Sequence, residues 1–202
     1  MSVRCDHGAW IHPDVAFGDD GHVGFSSCVG YGPPGEVVTY IGNRVRVGAF
    51  CVIDHGVHIE SDVEIDHYCR VAQGTRIGPK TKILYGAQVF ENVKIGRDCI
   101  IAGHLVDRTV VGDEVTFQGN TAHNHRDATG DWDETEEPSP TIERGSVVGI
   151  GALLIGGITI GPRAYVAAGE IVKCNVPTEH VLCGGYLRPL SEFRGLIKVR
   201  GL

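Results

Sequence analysis

Hydrophobic residues recur with a period of six along residues 41–106. Every sixth residue is isoleucine or valine: Ile41, Val47, Ile53, Ile59, Ile65, Val71, Ile77, Ile83, Val89, Ile95 and Ile101. Four places after each lies a second set of mostly small residues: Val45, Cys51, Val57, Val63, Cys69, Thr75, Thr81, Ala87, Val93, Cys99 and Leu105. Neither a helix, with a period of about 3.6, nor an alternating strand, with a period of about 2, gives this pattern. A fixed short period predicts a solenoid, in which each repeat buries its apolar face against its neighbours.

The period also predicts the shape of each repeat. Three hexapeptides, each a short strand and a corner, close a triangular coil of about 18 residues. The branched residues point inward and stack on the next coil, roughly 4.8 Å away, which is the spacing of paired strands. Glycine follows the branched residue in four steps, where we expect it to supply small size or positive φ at the corner. These glycines are Gly42, Gly48, Gly78 and Gly96.

The chain reads as a single domain, residues 1–202, of about seven coils. The segments are an N-terminal cap and first coil with a Gly/Pro loop (1–40), β-helix (41–118), an interrupting loop (119–141), β-helix (142–177) and a C-terminal tail (178–202). The six-residue phase slips by four after Ile101, and residues 119–141 have no apolar period. A loop of this length inside a compact repeat is usually either functional or disordered, and we expect this one to carry the chemistry. Residues 190–198 predict a short C-terminal helix.

Composition limits the possible partners. The net charge of −7 argues against nucleic acid or an anionic membrane surface. There is no run of 18 apolar residues and no apolar signal core at the N-terminus, so we expect a cytoplasmic protein that does not bind membranes.

The seven cysteines include no CxxC pair. Cys51, Cys69 and Cys99 occupy inward small positions and are interpreted as core residues rather than redox groups or metal ligands. Cys51 and Cys69 lie 69 − 51 = 18 positions apart, so they should stack on successive coils.

The repeat resembles that of the hexapeptide-repeat acyltransferases, whose fold is a left-handed parallel β-helix. This resemblance implies the left hand, since the usual crossover rule would favour the right. It also implies a homotrimer with active sites between neighbouring prisms, and acetyl-CoA or another acyl-CoA as co-substrate. The expected fold is therefore an all-β, left-handed parallel β-helix with a loop insertion and a short C-terminal helix.

The loop carries the strongest candidate for catalysis. Asn124-His125-Arg126 resembles a run in the xenobiotic acetyltransferases of this superfamily, and the resemblance implies that His125 is the catalytic base. Acyl transfer from a thioester needs a base active near neutral pH, which imidazole provides. His123 is the second candidate, and a third reading is that both histidines are solvated loop residues. Asn124, Arg126 and Trp132 are candidate acceptor contacts, with a solvated acidic loop as the alternative.

Residues 166–177 resemble the coenzyme A groove of the same superfamily. Ala167 and Gly169 would leave the backbone open to the pantetheine arm, while Lys173 and Arg188 would meet phosphates. Ordinary surface charges are the alternative for both cations. Relatives usually end in Gly-x-Pro-Ala, whereas this chain has Cys-Gly-Gly-Tyr-Leu-Arg-Pro at 183–189, so we expect the adenine end of the groove to be built differently.

The expected function is transfer of an acyl group, most simply acetyl, to a hydroxyl or amine of a small molecule. A sugar, nucleotide sugar, amino acid or antibiotic would fit. One alternative is a gamma-class carbonic anhydrase, because His67 and His104 lie 104 − 67 = 37 positions apart. That class needs a further histidine where this chain has Thr109, so no metal site is predicted. The other alternative is a non-catalytic β-helix subunit.

Overall fold

The computed structural model is a parallel β-solenoid, a left-handed β-helix of nine coils, and it describes residues 3–32, 38–125 and 137–193. Each coil contributes one strand to each of three flat faces. The chain passes from face 1 to face 2 at the first corner, from face 2 to face 3 at the second corner, and back to face 1 at the third. The predicted fold class is confirmed, while the coils number nine rather than about seven because Arg4–Cys5 already forms a strand.

Strands within a face pair with their counterparts one coil away. In the described residues, face 1 contains Arg4–Cys5, His22–Val23, Arg46–Val47, Glu64–Ile65, Lys82–Ile83, Ile100–Ile101, Thr116–Phe117, Val147–Val148, Tyr165–Val166, His180–Cys183 and Tyr186–Pro189. Face 2 contains Trp10–Ile11, Cys28–Tyr31, Val52–Asp54, Arg70–Val71, Gln88–Val89, His104–Leu105, Asn120–Ala122, Leu153–Ile155 and Ile171–Val172. Face 3 contains Ala16–Phe17, Tyr40–Ile41, His58–Ile59, Arg76–Ile77, Lys94–Ile95, Val110–Val111, Thr141–Ile142 and Thr159–Ile160.

The core is the column of inward side chains enclosed by the three faces. All the branched residues of the six-residue series, and all their partners four places on, are buried. Ile53, Val71 and Val89 lie on one face in direct register, which confirms the coil of 18 residues in this region. Each fully buried side chain of this kind contributes about 1.5–3 kcal/mol through removal of apolar surface from water.

The corners follow the same period through their backbone conformation. From residue 44 to residue 98, every sixth residue has positive φ: Arg44, Phe50, Gly56, Asp62, Tyr68, Gly74, Lys80, Gly86, Asn92 and Asp98. Most are not glycine, although this conformation costs an L-residue about 1–2 kcal/mol. A backbone hydrogen bond to the coil below accompanies the strain: Arg44 N–H donates to Asp19 O at 2.8 Å, and Tyr68 N–H donates to Ala49 O at 2.9 Å.

The four glycines that follow a branched residue do not have positive φ. They are required because successive coils approach closely there. A Cβ on Gly78 would lie 2.6 Å from the backbone carbon of Gly96, and a Cβ on Gly42 would lie 2.6 Å from the amide nitrogen of Ser61. Of the two reasons expected for glycine at these positions, small size is confirmed and positive φ is wrong.

Two corners in the middle of the solenoid are shorter than the rest. Leu105 follows Ile101 by four residues yet lies in a face 2 strand beside Val89, so it occupies a strand position rather than the small corner position expected from the sequence. The first corner shortens again between Phe117 and Thr121 in coil seven. This shortening explains the phase slip after Ile101, and it recesses the first corner in coils six and seven.

The solenoid ends in an antiparallel hairpin, which the sequence analysis did not predict. His180–Cys183 pairs with Tyr186–Pro189 around Gly184 and Gly185, which both have positive φ as a two-residue hairpin turn requires. Of the predicted helix 190–198, a 3₁₀ turn forms at Leu190–Glu192, and residues 194–198 lie outside the described residues. No helical segment in the described part of the chain has the length and apolar character that a membrane span needs.

The cysteine assignments generate a test of the core. Cys51, Cys69 and Cys99 are buried, whereas Cys5 and Cys174 are exposed. Burial raises the pKa of Cys99 from 9.0 to about 11, and the neighbouring Cys51 thiol together with burial raises the pKa of Cys69. At neutral pH a thiol-disulfide reagent should therefore modify the exposed thiols rapidly and the buried ones only after unfolding.

The Cys99 thiol should make the free energy of unfolding depend on pH in the alkaline range. Because the folded pKa of Cys99 is raised, its protonated form contributes stability that is complete below pH 9.0 and is lost as pH rises towards about 11. Urea unfolding across that window should show a shallower loss in Cys99→Ala than in the parent. Equal reactivity of Cys99 and Cys5 in the native protein would contradict the core assignment.

Candidate functional site

Three successive coils bring the candidate catalytic groups together at the second corner. Asp107 lies after the face 2 strand of coil six, His123 after that of coil seven, and Gly156 after that of coil eight. Ala122 is in register with Ile155, and Gly156 N–H donates to Ala122 O at 2.8 Å. The regular hydrogen bonding of the solenoid therefore positions the site. The loop leaves the solenoid one coil above Asp107.

His123 is held tightly at this corner. Its Nε2 lies 2.5 Å from Asp107 Oδ1, and its side chain is only 14% exposed. Its other ring nitrogen, Nδ1, is buried without a hydrogen-bond partner in the described structure. Asp107 is itself positioned, since Arg108 Nη2 lies 3.2 Å from Oδ2 and the Ser139 hydroxyl donates to the Asp107 carbonyl at 2.6 Å. A charge-assisted contact of this kind fixes the orientation of the imidazole ring.

His125 lies next to His123 but faces outward. Its side chain is 41% exposed, and the two imidazole centroids are 5.7 Å apart. Glu137 lies at the far end of the loop. Its Oε2 accepts a hydrogen bond from the backbone N–H of His125 at 2.9 Å, and its Oε1 lies 3.5 Å from His125 Nδ1. Each histidine therefore has its own carboxylate, and the two ends of the loop are joined through Glu137.

Two glycines above the histidines make room for the loop. A Cβ on Gly156 would lie 3.1 Å from the Asn124 Cβ, and a Cβ on Gly157 would lie 2.6 Å from the Pro138 Cβ. Gly156 also has φ +75°, which favours glycine independently of the space. Asn124, a candidate acceptor contact, is thus held between coils seven and eight. The other two, Arg126 and Trp132, lie outside the described residues.

The predicted coenzyme A residues divide between two corners and a face. Ala167 and Gly169 lie at the first corner of the last coil, where nothing lies within 4 Å of a Cβ built on Gly169. Lys173 is exposed at the second corner, directly after the face 2 strand of the last coil. That strand lies two coils above the histidine coil, which corresponds to two strand spacings or roughly 10 Å. Arg188 lies in the last strand of face 1, opposite Val181.

The Cys-Gly-Gly segment after the groove has a structural role. The Glu170 carboxylate accepts hydrogen bonds from the N–H groups of Gly184 and Gly185, which fastens the C-terminal hairpin beside the Ala167–Gly169 edge. Within one chain, then, the histidines share a corner with Lys173 but not with the Ala167–Gly169 edge or Arg188.

Asp107, Glu137 and Ser139 are site residues that the sequence analysis missed. Asp107 lies 16 positions before His123, one shortened coil, whereas the regular period of 18 would have placed a different residue beneath the loop. Glu137 belongs to the acidic stretch of the loop, where nothing in the sequence distinguishes it from its acidic neighbours. Spacing therefore gave no signal for Asp107, because the first corner of coil seven has lost two residues.

The histidines of the zinc alternative lie apart in the part of the chain that the structure describes. There, no three histidine, cysteine or carboxylate side chains gather as they would around an ion. His67 and His104, which suggested the zinc alternative, lie at the first corner of coil four and in face 2 of coil six.

Comparison with known proteins shows which of them this chain resembles. Searching found no family model that matches the chain. The bifunctional protein GlmU of Shouchella clausii is 34% identical over 150 residues, 66% of this chain and 33% of that protein. GlmU of Brevibacillus brevis is 29% identical over 181 residues, 87% of this chain and 36% of that protein. This chain thus spans about a third of the length of these curated relatives.

A solved structure shows the same fold. The UDP-N-acetylglucosamine acyltransferase of Francisella novicida superposes with a TM-score of 0.62 and 14% identity, covering 88% of this chain and 65% of that one. The expected resemblance to the hexapeptide-repeat, left-handed β-helix acyltransferase superfamily is confirmed.

Proposed function

We propose that this protein is an acyl-CoA-dependent acyltransferase that transfers an acyl group, most simply acetyl, to a hydroxyl or amine of a small molecule. The observation that carries the proposal is the pair of adjacent histidines, each with its own carboxylate, at the base of the loop that interrupts the solenoid. Such an arrangement suits general base catalysis, in which an oriented imidazole removes a proton from the attacking group.

Within this pair we assign the base to His125 and a positioning role to His123. His123 has one ring nitrogen against Asp107 and the other buried, so no nitrogen faces an acceptor. His125 is far more exposed, and Glu137 beside its Nδ1 would stabilise the imidazolium that forms. His123 and Asp107 then fix the start of the loop, and Glu137 fixes its end.

The proposed reaction is a direct transfer of the acyl group from the thioester of acyl-CoA to the acceptor molecule. His125 takes the proton as the acceptor oxygen or nitrogen attacks the thioester carbonyl carbon. The resulting oxyanion requires a hydrogen-bond donor, most simply a backbone N–H of a coil edge. Collapse of the intermediate breaks the carbon–sulfur bond, and the departing thiolate of coenzyme A takes the proton back from His125.

Assembly would complete the site. The Ala167–Gly169 edge and the histidines lie at different corners and two coils apart. We therefore propose a homotrimer in which the groove edge of one subunit faces the second corner of its neighbour, closed by cyclic symmetry. Lys173 and Arg188 would meet the phosphates of coenzyme A from these separate positions.

A coenzyme A donor also implies a cytoplasmic location, which agrees with seven free cysteines.

The acceptor is proposed to be a sugar or nucleotide sugar. The fold relative named above is a UDP-N-acetylglucosamine acyltransferase. This likeness supports a sugar over an amino acid or antibiotic, which remain the other acceptors compatible with a base on an exposed loop.

We predict that the protein in solution has the mass of three chains, each of 21.7 kDa. Light scattering at micromolar concentration checks it. A stable species with the mass of one chain would contradict the shared site.

The donor prediction is that acetyl-CoA stabilises the protein. A ligand that binds only the native state at a concentration about 100-fold above its Kd adds about 2.7 kcal/mol to the free energy of unfolding. Thermal unfolding with millimolar acetyl-CoA should therefore give a higher Tm, and Lys173→Ala should reduce the shift. No shift with acetyl-CoA or succinyl-CoA would count against a coenzyme A enzyme.

The base prediction concerns His125→Ala. Loss of the base should lower kcat by about 10²–10⁴-fold while leaving the Tm shift with acetyl-CoA intact. His58→Ala is the matched control, because His58 also pairs with a glutamate, Glu60 at 2.9 Å, but on face 3. Steady-state kinetics with a panel of sugar acceptors measures both. Near-normal turnover in His125→Ala would assign the base to another residue.

A further inference from the structure

Two positively charged side chains stand in register on face 3, below the candidate active site. Arg76 and Lys94 are direct neighbours on the strands of coils four and five, and both are exposed. Neither has an ion-pair partner in the part of the chain that the structure describes. On face 1 the in-register charges alternate instead, with Glu64 between Arg46 and Lys82. Like charges directly opposite each other destabilise a sheet, so face 3 holds two charges that a bound anion would offset.

A cleft beside these two cations gives an anion room to bind. It has a volume of about 650 Å³, within the range of ligand sites, and Gln73 and Asn92 line it together with Arg76 and Lys94. The side-chain amides of Gln73 and Asn92 carry N–H groups that can donate to phosphate oxygens. A Cβ on Gly74 would lie 2.2 Å from Asn92 Oδ1, so glycine at this position leaves the Asn92 amide its place in the wall.

The cleft has a positive charge of its own. Arg76 and Lys94 stand against a single carboxylate among the described lining residues, that of Glu91. His58, which also lines the cleft, has a separate partner, because its Nε2 lies 2.9 Å from Glu60 Oε1. In a chain with a net charge of −7, this cleft is therefore a local site that favours an anion.

The cleft lies on the acceptor side of the catalytic corner. Its upper wall is the second corner of coil five, where Glu91 O accepts the Arg108 N–H of coil six at 2.8 Å. His123 and His125 follow in coil seven, two strand spacings or roughly 10 Å above Lys94 and the rest of coil five. The proposed donor groove, Ala167–Gly169, lies in coil nine, on the other side of the histidines along the solenoid. A donor bound in that groove leaves the lower coils to the acceptor.

From these observations we infer that Arg76 and Lys94 bind the diphosphate of a nucleotide-sugar acceptor whose sugar ring lies at His125. The inference rests on the proposed function, and it selects a nucleotide sugar among the acceptors considered above. Two cations one strand spacing apart can each meet one phosphate, and the arginine can bind two oxygens of the same phosphate. The two coils up to the histidines leave room for one sugar ring between the diphosphate and the base.

The binding step is tested by calorimetric titration of the full chain with pyrophosphate, UDP-glucose and glucose. Both diphosphates should bind, and glucose should bind about tenfold or more weakly than UDP-glucose. Arg76→Gln combined with Lys94→Gln should weaken both diphosphates by about tenfold or more, because hydrogen bonds to charged groups are lost. The Tm of this variant should not fall, since a contact between like charges is removed. Arg4→Gln combined with Arg46→Gln removes the same charge from face 1 and should bind normally.

Nuclear magnetic resonance of the imidazole rings separates an acceptor subsite from an independent anion site. UDP-glucose should shift the His125 signal, which is assigned by its loss in His125→Ala, whereas pyrophosphate should leave that signal in place. Neither measurement needs acetyl-CoA or turnover. Failure of the acyltransferase proposal would therefore be seen separately, as a missing Tm shift with acetyl-CoA.

Three results would overturn the inference. One is that neither diphosphate binds the parent protein. Another is that the Arg76 and Lys94 double variant binds as tightly as the parent, or no more weakly than the face 1 control. The third is that UDP-glucose binds through Arg76 and Lys94 but leaves the His125 signal unchanged, which would make the cleft an anion site unconnected with the acceptor.

Discussion

The backbone hydrogen bond that most corners donate to the coil below is the interaction on which the rest of the structure depends. It comes from a residue with positive φ, as in Asp62 N–H to Asn43 O at 2.9 Å or Asn92 N–H to Gln73 O at 2.9 Å. The bond turns the chain and sets its height above the previous coil in one step. Strands of only two residues pair in register because the corners have already positioned them.

This division of labour explains where the chain tolerates change. The long loop leaves face 2 after Asn120–Ala122, yet Thr141 returns in register with Val110 below and Thr159 above. The shortened corners before Leu105 and Thr121 likewise leave the strands of face 2 paired. Insertions and deletions occur at corners, so chemistry and binding surfaces accumulate there while the faces remain a scaffold.

The sequence predicted the core because the side chains that fill a narrow prism must repeat as the coils repeat. Ile53, Val71 and Val89 were identified on that basis alone. The positive φ of Phe50 or Tyr68 was not predictable in this way, because residue preference points to glycine there and the coil-to-coil hydrogen bond overrides it.

The candidate site was only partly predictable for a related reason. His123 and His125 are visible in sequence as a cluster within a loop. Their carboxylate partners are not, because Asp107 reaches His123 through a coil that is two residues shorter than the repeat, and Glu137 reaches His125 across the loop. The terminal hairpin has a local signal, the Gly-Gly pair at 184–185 between apolar residues, but this signal lies outside the six-residue repeat.

That hairpin has a consequence for how molecules of this kind stay discrete. A stack of parallel strands offers its last strand as a template on which another chain can grow, as in amyloid fibrils. Here the chain reverses, so the outermost strand of face 1 among the described residues, Tyr186–Pro189, runs against the direction of the stack and contains a proline that cannot donate a backbone hydrogen bond. Glu170 locks the reversal in place through Gly184 and Gly185. One carboxylate thus helps to stop end-to-end polymerisation at the final coil.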